Sequence, residues 1–182
     1  LLFAFGLRVY QLDTLPAGLW YDEADNLLHA IQIGREVDAA PVFVPSTNLP
    51  SMFLIPIAVV LDLFGETWIA GRIVAVGFSL VGIAAVYFVS RLIVGPYMAL
   101  ISALLLAVMR WDINWSRIGM HGITAPVFAT LTSLLTLRAV SRGRTVDFGW
   151  AGFIMGASMW FYSSLRLFPL VIGFILIHHL VV

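Results

Sequence analysis

The chain has 182 residues, of which 61% are hydrophobic and 11% charged, and its mean hydropathy is +0.99. Soluble domains are about 45–50% apolar and about 25% charged, so this composition excludes an ordinary soluble protein and indicates an integral membrane protein. The formal net charge of zero gives no basis for nucleic-acid binding, and the absence of cysteine excludes disulfides and cysteine-ligated metals.

The first predicted element is the end of a transmembrane helix at residues 1–10, with Arg8 and Tyr10 at the membrane interface. The chain begins inside an apolar run and also ends inside one, Leu176 to Val182. We therefore expect it to be a piece of a longer protein with several membrane spans. Residues 11–66 follow as a long loop, and its apolar content predicts order.

This loop contains three carboxylates within four residues, Asp22, Glu23 and Asp25. Charge near a membrane is costly, so the cluster indicates a functional site. Apolar and polar residues alternate at helical spacing over 22–36, which predicts an amphipathic helix along the membrane surface. Asp22 is a candidate N-cap of this helix, and Glu23 fits its first turn because the helix dipole favours anions there.

Residues 50–64 are apolar but too short for a span of about 20 residues, so we expect an interfacial or re-entrant helix there. Residues 67–182 are predicted to form about five transmembrane helices, at 70–90, 97–111, 121–138, 148–164 and 167–182. The predicted fold class is therefore all-α, a polytopic transmembrane bundle whose extracytoplasmic loop carries amphipathic juxtamembrane helices.

The arginines predict the orientation of the bundle. The short loop with Arg142 and Arg144 is the most basic, so the positive-inside rule assigns it to the cytoplasm. With 50–64 not crossing, the Asp22 loop then lies outside, together with further candidates at the outer loops: Arg117, His121, Tyr162 and Arg166. If 50–64 does cross, Asp22 faces the side opposite to these residues. The first arrangement combines carboxylates for proton transfer with guanidinium groups suited to phosphate.

At this point the chain resembles the membrane glycosyltransferases with the C-type fold. This group includes protein O-mannosyltransferases, the aminoarabinose transferase of lipid A and oligosaccharyltransferases. The resemblance begins with Leu-Pro-x-Gly-Leu-Trp-x-Asp-Glu-Ala in the first loop and covers nearly the whole chain. It continues through Phe64-Gly65-Glu66, Arg72, the run from Val86-Tyr87 to Arg91, Trp115-Ser116-Arg117 and Arg166-Leu167-Phe168-Pro169.

The resemblance implies transfer of a sugar from a polyprenyl-phosphate donor to a protein, lipid or glycan acceptor. The reaction would take place at the outer face of a bacterial or archaeal plasma membrane. Asp22 would accept the proton of the acceptor hydroxyl, or hold a metal that does equivalent work, and Glu23 would support it. Arg117 and Arg166 are the candidates for the donor phosphate.

Two departures from the family pattern bear on this interpretation. Asp25 stands where the aminoarabinose transferases have an arginine. No carboxylate follows Arg117 closely, and only His121 is nearby, which favours a single-carboxylate mechanism like that of the mannosyltransferases. No cofactor or metal ligand is therefore assigned, and a divalent metal is left open.

Structural alternatives accompany these assignments. Arg117 and Arg166 could be interfacial anchors, Arg72 is best interpreted as a buried partner of a loop carboxylate, and His121 and Tyr162 are secondary supports. A non-enzymatic transporter or lipid-binding membrane module is the rival function. Transporters more often place ionisable groups at the bilayer midplane, whereas the charges here cluster at the ends of the predicted spans.

Overall fold

The computed structural model describes residues 1–35 and 41–181. Glu36 and Val182, which end the predicted helix 22–36 and the predicted last span, lie outside this part. The α-helices of the described residues are α1 (Leu2–Val9), α2 (Tyr21–Arg35), α3 (Leu54–Phe64), α4 (Ala70–Val94), α5 (Pro96–Val108), α6 (Arg110–Ser116), α7 (Thr124–Arg142), α8 (Thr145–Ser158) and α9 (Phe168–Val181). Short 3₁₀ turns cover Ser51–Phe53, His121–Ile123 and Ser163–Leu167. The predicted all-α class is confirmed.

Two helical segments are long and apolar enough to cross a membrane. They are α4, with 25 residues, and His121–Arg142, with 22. A third candidate is α5 joined to α6, but a bend of 59° at Met109 interrupts the predicted span 97–111. Helices α8 and α9 have 14 residues each, so five crossings stay a prediction.

Helix α3 occupies most of the predicted non-crossing segment 50–64. Its 11 residues extend about 16 Å, which is half the thickness of a hydrocarbon core of about 30 Å. It packs against α2 on one side and α4 on the other. The main hydrophobic core lies between these three helices, with Leu27, Phe53, Ile57 and Ala75 among its buried members.

The side chain of Arg8 in α1, which is predicted to lie at the membrane interface, is fully buried against α4 and α6. It donates to Asp112 Oδ2 at 2.6 Å and to Ser79 Oγ at 2.7 Å, and Ser79 donates to the same carboxylate oxygen at 2.6 Å. A buried guanidinium requires such partners, since an unpaired charge there is very costly. This network connects three helices, and sequence spacing gave no sign of it.

Candidate active site

The site is built around a fully buried ion pair between α2 and α4. Arg72 Nε donates to Glu23 Oε1 at 2.8 Å and its Nη2 donates to Oε2 at 3.2 Å. Neither side chain is exposed to solvent. The two-pronged geometry suits the planar fork of arginine and fixes the rotation of α2 about its own axis.

The remaining donors of Arg72 hold the loop that precedes α2. Its guanidinium donates to the carbonyl oxygens of Leu12 at 2.9 Å, Pro16 at 3.2 Å and Gly18 at 2.6 Å, and it lies 4.7 Å from the ring centroid of Trp68. The expectation that Arg72 is a buried partner of a loop carboxylate is therefore confirmed. One side chain on α4, that of Arg72, therefore holds the loop that leads to Asp22 and Glu23.

Asp22 is not the N-cap of α2, contrary to one of the two sequence interpretations. The helix begins at Tyr21, and the backbone N–H of Trp20 donates to Glu23 Oε2 at 3.4 Å. This is the arrangement in which a glutamate three residues into the helix reaches back to the capping residue. Asp22 is half-buried and makes no side-chain hydrogen bond to any described residue.

The loop after α6 closes over Glu23 through glycine. Gly119 N–H donates to Glu23 Oε1 at 3.2 Å, and the Gly119 carbonyl accepts from Asn26 Nδ2 at 2.9 Å. A Cβ on Gly119 would lie 2.9 Å from the Cα of Gly71, a distance that real Cβ contacts do not reach. Two glycines facing each other therefore allow this loop to touch α4.

Gly119→Ala is expected to destabilise the protein by about 1–3 kcal/mol, because the added methyl group must push the loop away from α4 and from Glu23. The apparent melting temperature in detergent measures the effect. Gly6→Ala is the matched control, since nothing lies within 4 Å of a Cβ at that position. Equal melting temperatures for the two variants would contradict the close approach.

A cavity of about 370 Å³ lies beside the first turn of α2. The loop at 16–20 forms one wall, and Trp115, Ile118 and Met120 form another. Glu23 also lines it, but its oxygens are already bound by Arg72, Trp20 and Gly119. The volume is in the range of small-molecule sites, and aromatic walls are common in them.

Arg117, one of the two phosphate candidates, turns inward. Its terminal nitrogens donate to the carbonyl oxygens of Leu7 (3.2 Å), Arg8 (3.1 Å), Gln11 (3.1 Å) and Leu15 (2.9 Å). Its side chain thereby holds the end of α1 and the start of the loop. Burial lowers the pKa of the Arg117 guanidinium, and the positive charge of Arg72 acts in the same direction.

Arg166, the other phosphate candidate, stays exposed. Within the described residues its guanidinium makes no hydrogen bond or ion pair and lies 5.4 Å from the ring centroid of Phe43. The segment that carries Phe43 also contacts α2, since Ser46 Oγ donates to Asp25 Oδ2 at 2.6 Å. His29 Nε2 lies 3.3 Å from the same hydroxyl. One loop thus contacts both the polar face of α2 and the turn of Arg166.

The last two candidate residues are His121 and Tyr162. The His121 ring is 2% exposed and packs 4.9 Å from the ring of Phe53, with Nε2 lacking a hydrogen-bond partner among the described residues. Tyr162 is half-buried in the turn before Arg166. Across residues 1–35 and 41–181, no three His, Asp or Glu side chains lie close enough together to hold a metal ion.

Comparison with known proteins places this geometry in context. Residues 48–181 match the family described as dolichyl-phosphate-mannose-protein mannosyltransferase. The matched range includes Arg72, Arg117 and Arg166 and begins after Asp22 and Glu23. No match was found among curated proteins or solved structures.

Proposed function

Because the chain belongs to the dolichyl-phosphate-mannose-protein mannosyltransferase family, we propose that it moves a sugar from a polyprenyl-phosphate donor to an acceptor hydroxyl. It is a membrane glycosyltransferase of the mannosyltransferase type. The acceptor class in this proposal is a protein, lipid or glycan. The active side is the extracytoplasmic one, as the arginines of the loop after α7 favour.

The observation that carries the proposal is the different environment of two adjacent carboxylates, Asp22 and Glu23. Glu23 is buried and fully engaged with Arg72, whereas Asp22 has no protein partner among the described residues. Glu23 therefore orients the first turn of α2, and Asp22 is free to act on a substrate. A general base needs this combination of a fixed position and an unoccupied carboxylate.

The reaction is a single displacement at the anomeric carbon. The acceptor oxygen forms a bond to that carbon while the bond from the carbon to the donor phosphate oxygen breaks, which inverts the configuration. The Asp22 carboxylate takes the proton of the attacking hydroxyl, and the electron pair of the broken bond leaves with polyprenyl phosphate.

The leaving phosphate gains charge in the transition state, so a positive side chain nearby lowers the barrier. Arg166 is assigned this role because its guanidinium is exposed and unpaired within the described part of the chain. Arg117 was the other candidate, but four of its N–H donors already bind backbone carbonyls. We assign Arg117 a positioning role between α1 and the loop.

The proposal is tested with the full-length protein in lipid and a panel of polyprenyl-phosphate sugars. We expect wild-type protein to convert at least one of these donors to polyprenyl phosphate, with transfer product or free sugar in equal amount. Absence of turnover and of binding for every donor would overturn the proposal and favour the transporter or lipid-binding alternative.

Arg166→Ala is expected to raise the KM for the donor about tenfold or more, because a charge-assisted contact to phosphate is lost. Arg166→Lys should recover part of the loss, since the charge returns without the planar fork. Steady-state kinetics with a fixed acceptor measures both. Arg110→Ala, at the exposed start of α6, serves as a control for loss of a surface charge. An unchanged KM in Arg166→Ala would remove Arg166 from the donor site.

A further inference from the structure

A second buried ion pair, between Arg8 of α1 and Asp112 of α6, lies outside the candidate site. The two side chains are 0% and 6% exposed, and their charged atoms are 2.6 Å apart. Ser79 of α4 links them, since its hydroxyl accepts from Arg8 Nε and donates to Asp112 Oδ2. The attraction within a buried pair is offset by the cost of removing both charges from water, so such a pair is weak evidence for stability. What it does here is join α1 and α4 to the first turn of α6.

Helix α6 is too short to hold its position alone. It has seven residues, a length of about 10 Å, and it follows the bend of 59° at Met109. Isolated helices shorter than about 12 residues are marginal in water, so α6 depends on tertiary contacts. Arg8 Nη1 donates to the Ala107 carbonyl at 3.0 Å, which is one of the last four carbonyls of α5 and lacks a partner within that helix. Arg8 therefore holds the bend itself, and through Asp112 the turn that follows it.

The other end of α6 is also attached to α1. Arg117, the residue after the helix, donates to the carbonyl oxygens of Leu7 at 3.2 Å and Arg8 at 3.1 Å. Arg8 thus contacts α6 twice, through its guanidinium at the first turn and through its carbonyl at the end. Two attachments at opposite ends of a short helix fix both its position and its direction.

Helix α6 and the loop after it form one side of the candidate site. Trp115 lines the cavity beside the first turn of α2, and its ring lies so near Gly122 that a Cβ there would come within 2.7 Å of it. Gly119, three residues after α6, donates its N–H to Glu23 Oε1 at 3.2 Å. A shift of α6 would therefore move a cavity wall and release a bond to Glu23, the neighbour of Asp22.

We propose that Arg8, Ser79 and Asp112 are positioning residues for sugar transfer, because they fix the helix that places Trp115 and Gly119 against the first turn of α2. The effect on turnover rests on the proposed function. Within the described residues none of the three contacts Arg166, the side chain assigned to the donor phosphate. Loss of the network therefore lowers kcat and leaves the KM for the donor unchanged.

The double variant Arg8→Leu, Asp112→Leu separates positioning from stability. Replacement of a buried ion pair by apolar residues is often neutral or stabilising, so we expect a melting temperature near that of the wild type. In the full-length protein in lipid, kcat should fall about tenfold or more, since a displacement of about 1 Å near a reacting group can cost about 10²-fold. The exposed pair provides the matched control, because Arg35→Leu, Glu66→Leu also removes two opposite charges and should keep the wild-type kcat. A wild-type kcat in Arg8→Leu, Asp112→Leu would overturn the proposal.

Hydrogen exchange measures the hold on α6 without relying on turnover. We expect the backbone amides of residues 115–120 to exchange about tenfold faster in the double variant, because local opening of this segment becomes easier. Exchange in α7 and α8 should not change. A loss of kcat with unchanged exchange at 115–120 would show that α6 is not the link, and would overturn the proposal.

Ser79→Ala is the second variant, and it decides the matter if the double variant does not fold. It removes the hydroxyl between Arg8 and Asp112 but leaves the ion pair, so we expect a folded protein whose kcat falls about threefold with the same KM. Ser133→Ala is its control, since that hydroxyl bonds only to the Ala129 carbonyl of its own helix. Wild-type kcat and exchange in Ser79→Ala would refute the positioning role alone. If the wild type transfers no sugar, the proposed function falls, and exchange at 115–120 still decides whether the network holds α6.

Discussion

Asp22→Asn is expected to lower the rate of sugar transfer by roughly 10²- to 10⁴-fold while donor binding and melting temperature stay near wild type. The amide has nearly the shape of the carboxylate but cannot accept the hydroxyl proton. Stability should not change, because Asp22 neither caps α2 nor bonds to another described residue. Single-turnover kinetics with saturating donor separates the chemical step from binding.

Asp25→Asn is the matched control for this experiment. Asp25 lies three residues later on the same helix, but its carboxylate already accepts a hydrogen bond from Ser46 at 2.6 Å. We expect little loss of transfer from that variant. Wild-type rates in Asp22→Asn would contradict the assignment and require a different base, and equal losses in both variants would point to the overall charge of α2.

Arg72→Met is expected to give the largest loss of stability, about 3–5 kcal/mol, because it leaves the buried Glu23 carboxylate without a counter-charge. Three loop carbonyls, those of Leu12, Pro16 and Gly18, also lose their donor. The loop before α2 should then loosen, and sugar transfer should fall together with stability. Thermal unfolding in detergent and transfer rate are measured on the same preparation.

The exposed ion pair of Arg35 and Glu66 provides the contrast. Its atoms are as close, 2.5 Å apart, but the side chains are 69% and 62% exposed. Solvent screening limits the contribution of such pairs to about 0–1 kcal/mol, so Arg35→Met should change the free energy of unfolding very little. The double variant Glu23→Leu, Arg72→Met should cost less than the sum of the single changes, since it removes both buried charges. Equal losses in Arg72→Met and Arg35→Met would refute the role of the buried pair.

Composition and periodicity were sufficient for much of the fold. Long apolar runs in a chain with 61% hydrophobic residues predict helices in a bilayer. Every backbone N–H and C=O group there must be hydrogen-bonded within the protein. The predicted helix 22–36 begins one residue from the observed start at Tyr21. The sequence did not reveal the bend at Met109, because the polar residues that follow it, Arg110, Asp112 and Asn114, predict an outer loop and not a second helix.

The candidate site was found as a cluster, but the role of each member was not. Asp22 and Glu23 are adjacent acidic residues in one helical turn, and residues in a helix follow each other at about 100°. Packing of α2 against α4 decides that Glu23 meets Arg72 and that Asp22 has no hydrogen-bond partner among the described residues. No local pattern carries that information, because it depends on how α2 is rotated relative to α4. The two residues that meet, Glu23 and Arg72, are 49 positions apart in the chain.

Hydrophobicity and helical spacing are local properties, so they were enough to predict an all-helical membrane protein with an acidic first loop. Packing between the helices, in contrast, makes Arg72 anchor Glu23, directs Arg117 to backbone carbonyls and leaves Arg166 exposed. Every residue offers the same carbonyl group, so an arginine with backbone partners leaves no signature in sequence. The three arginines therefore acquire different partners and different exposure only when the chain folds.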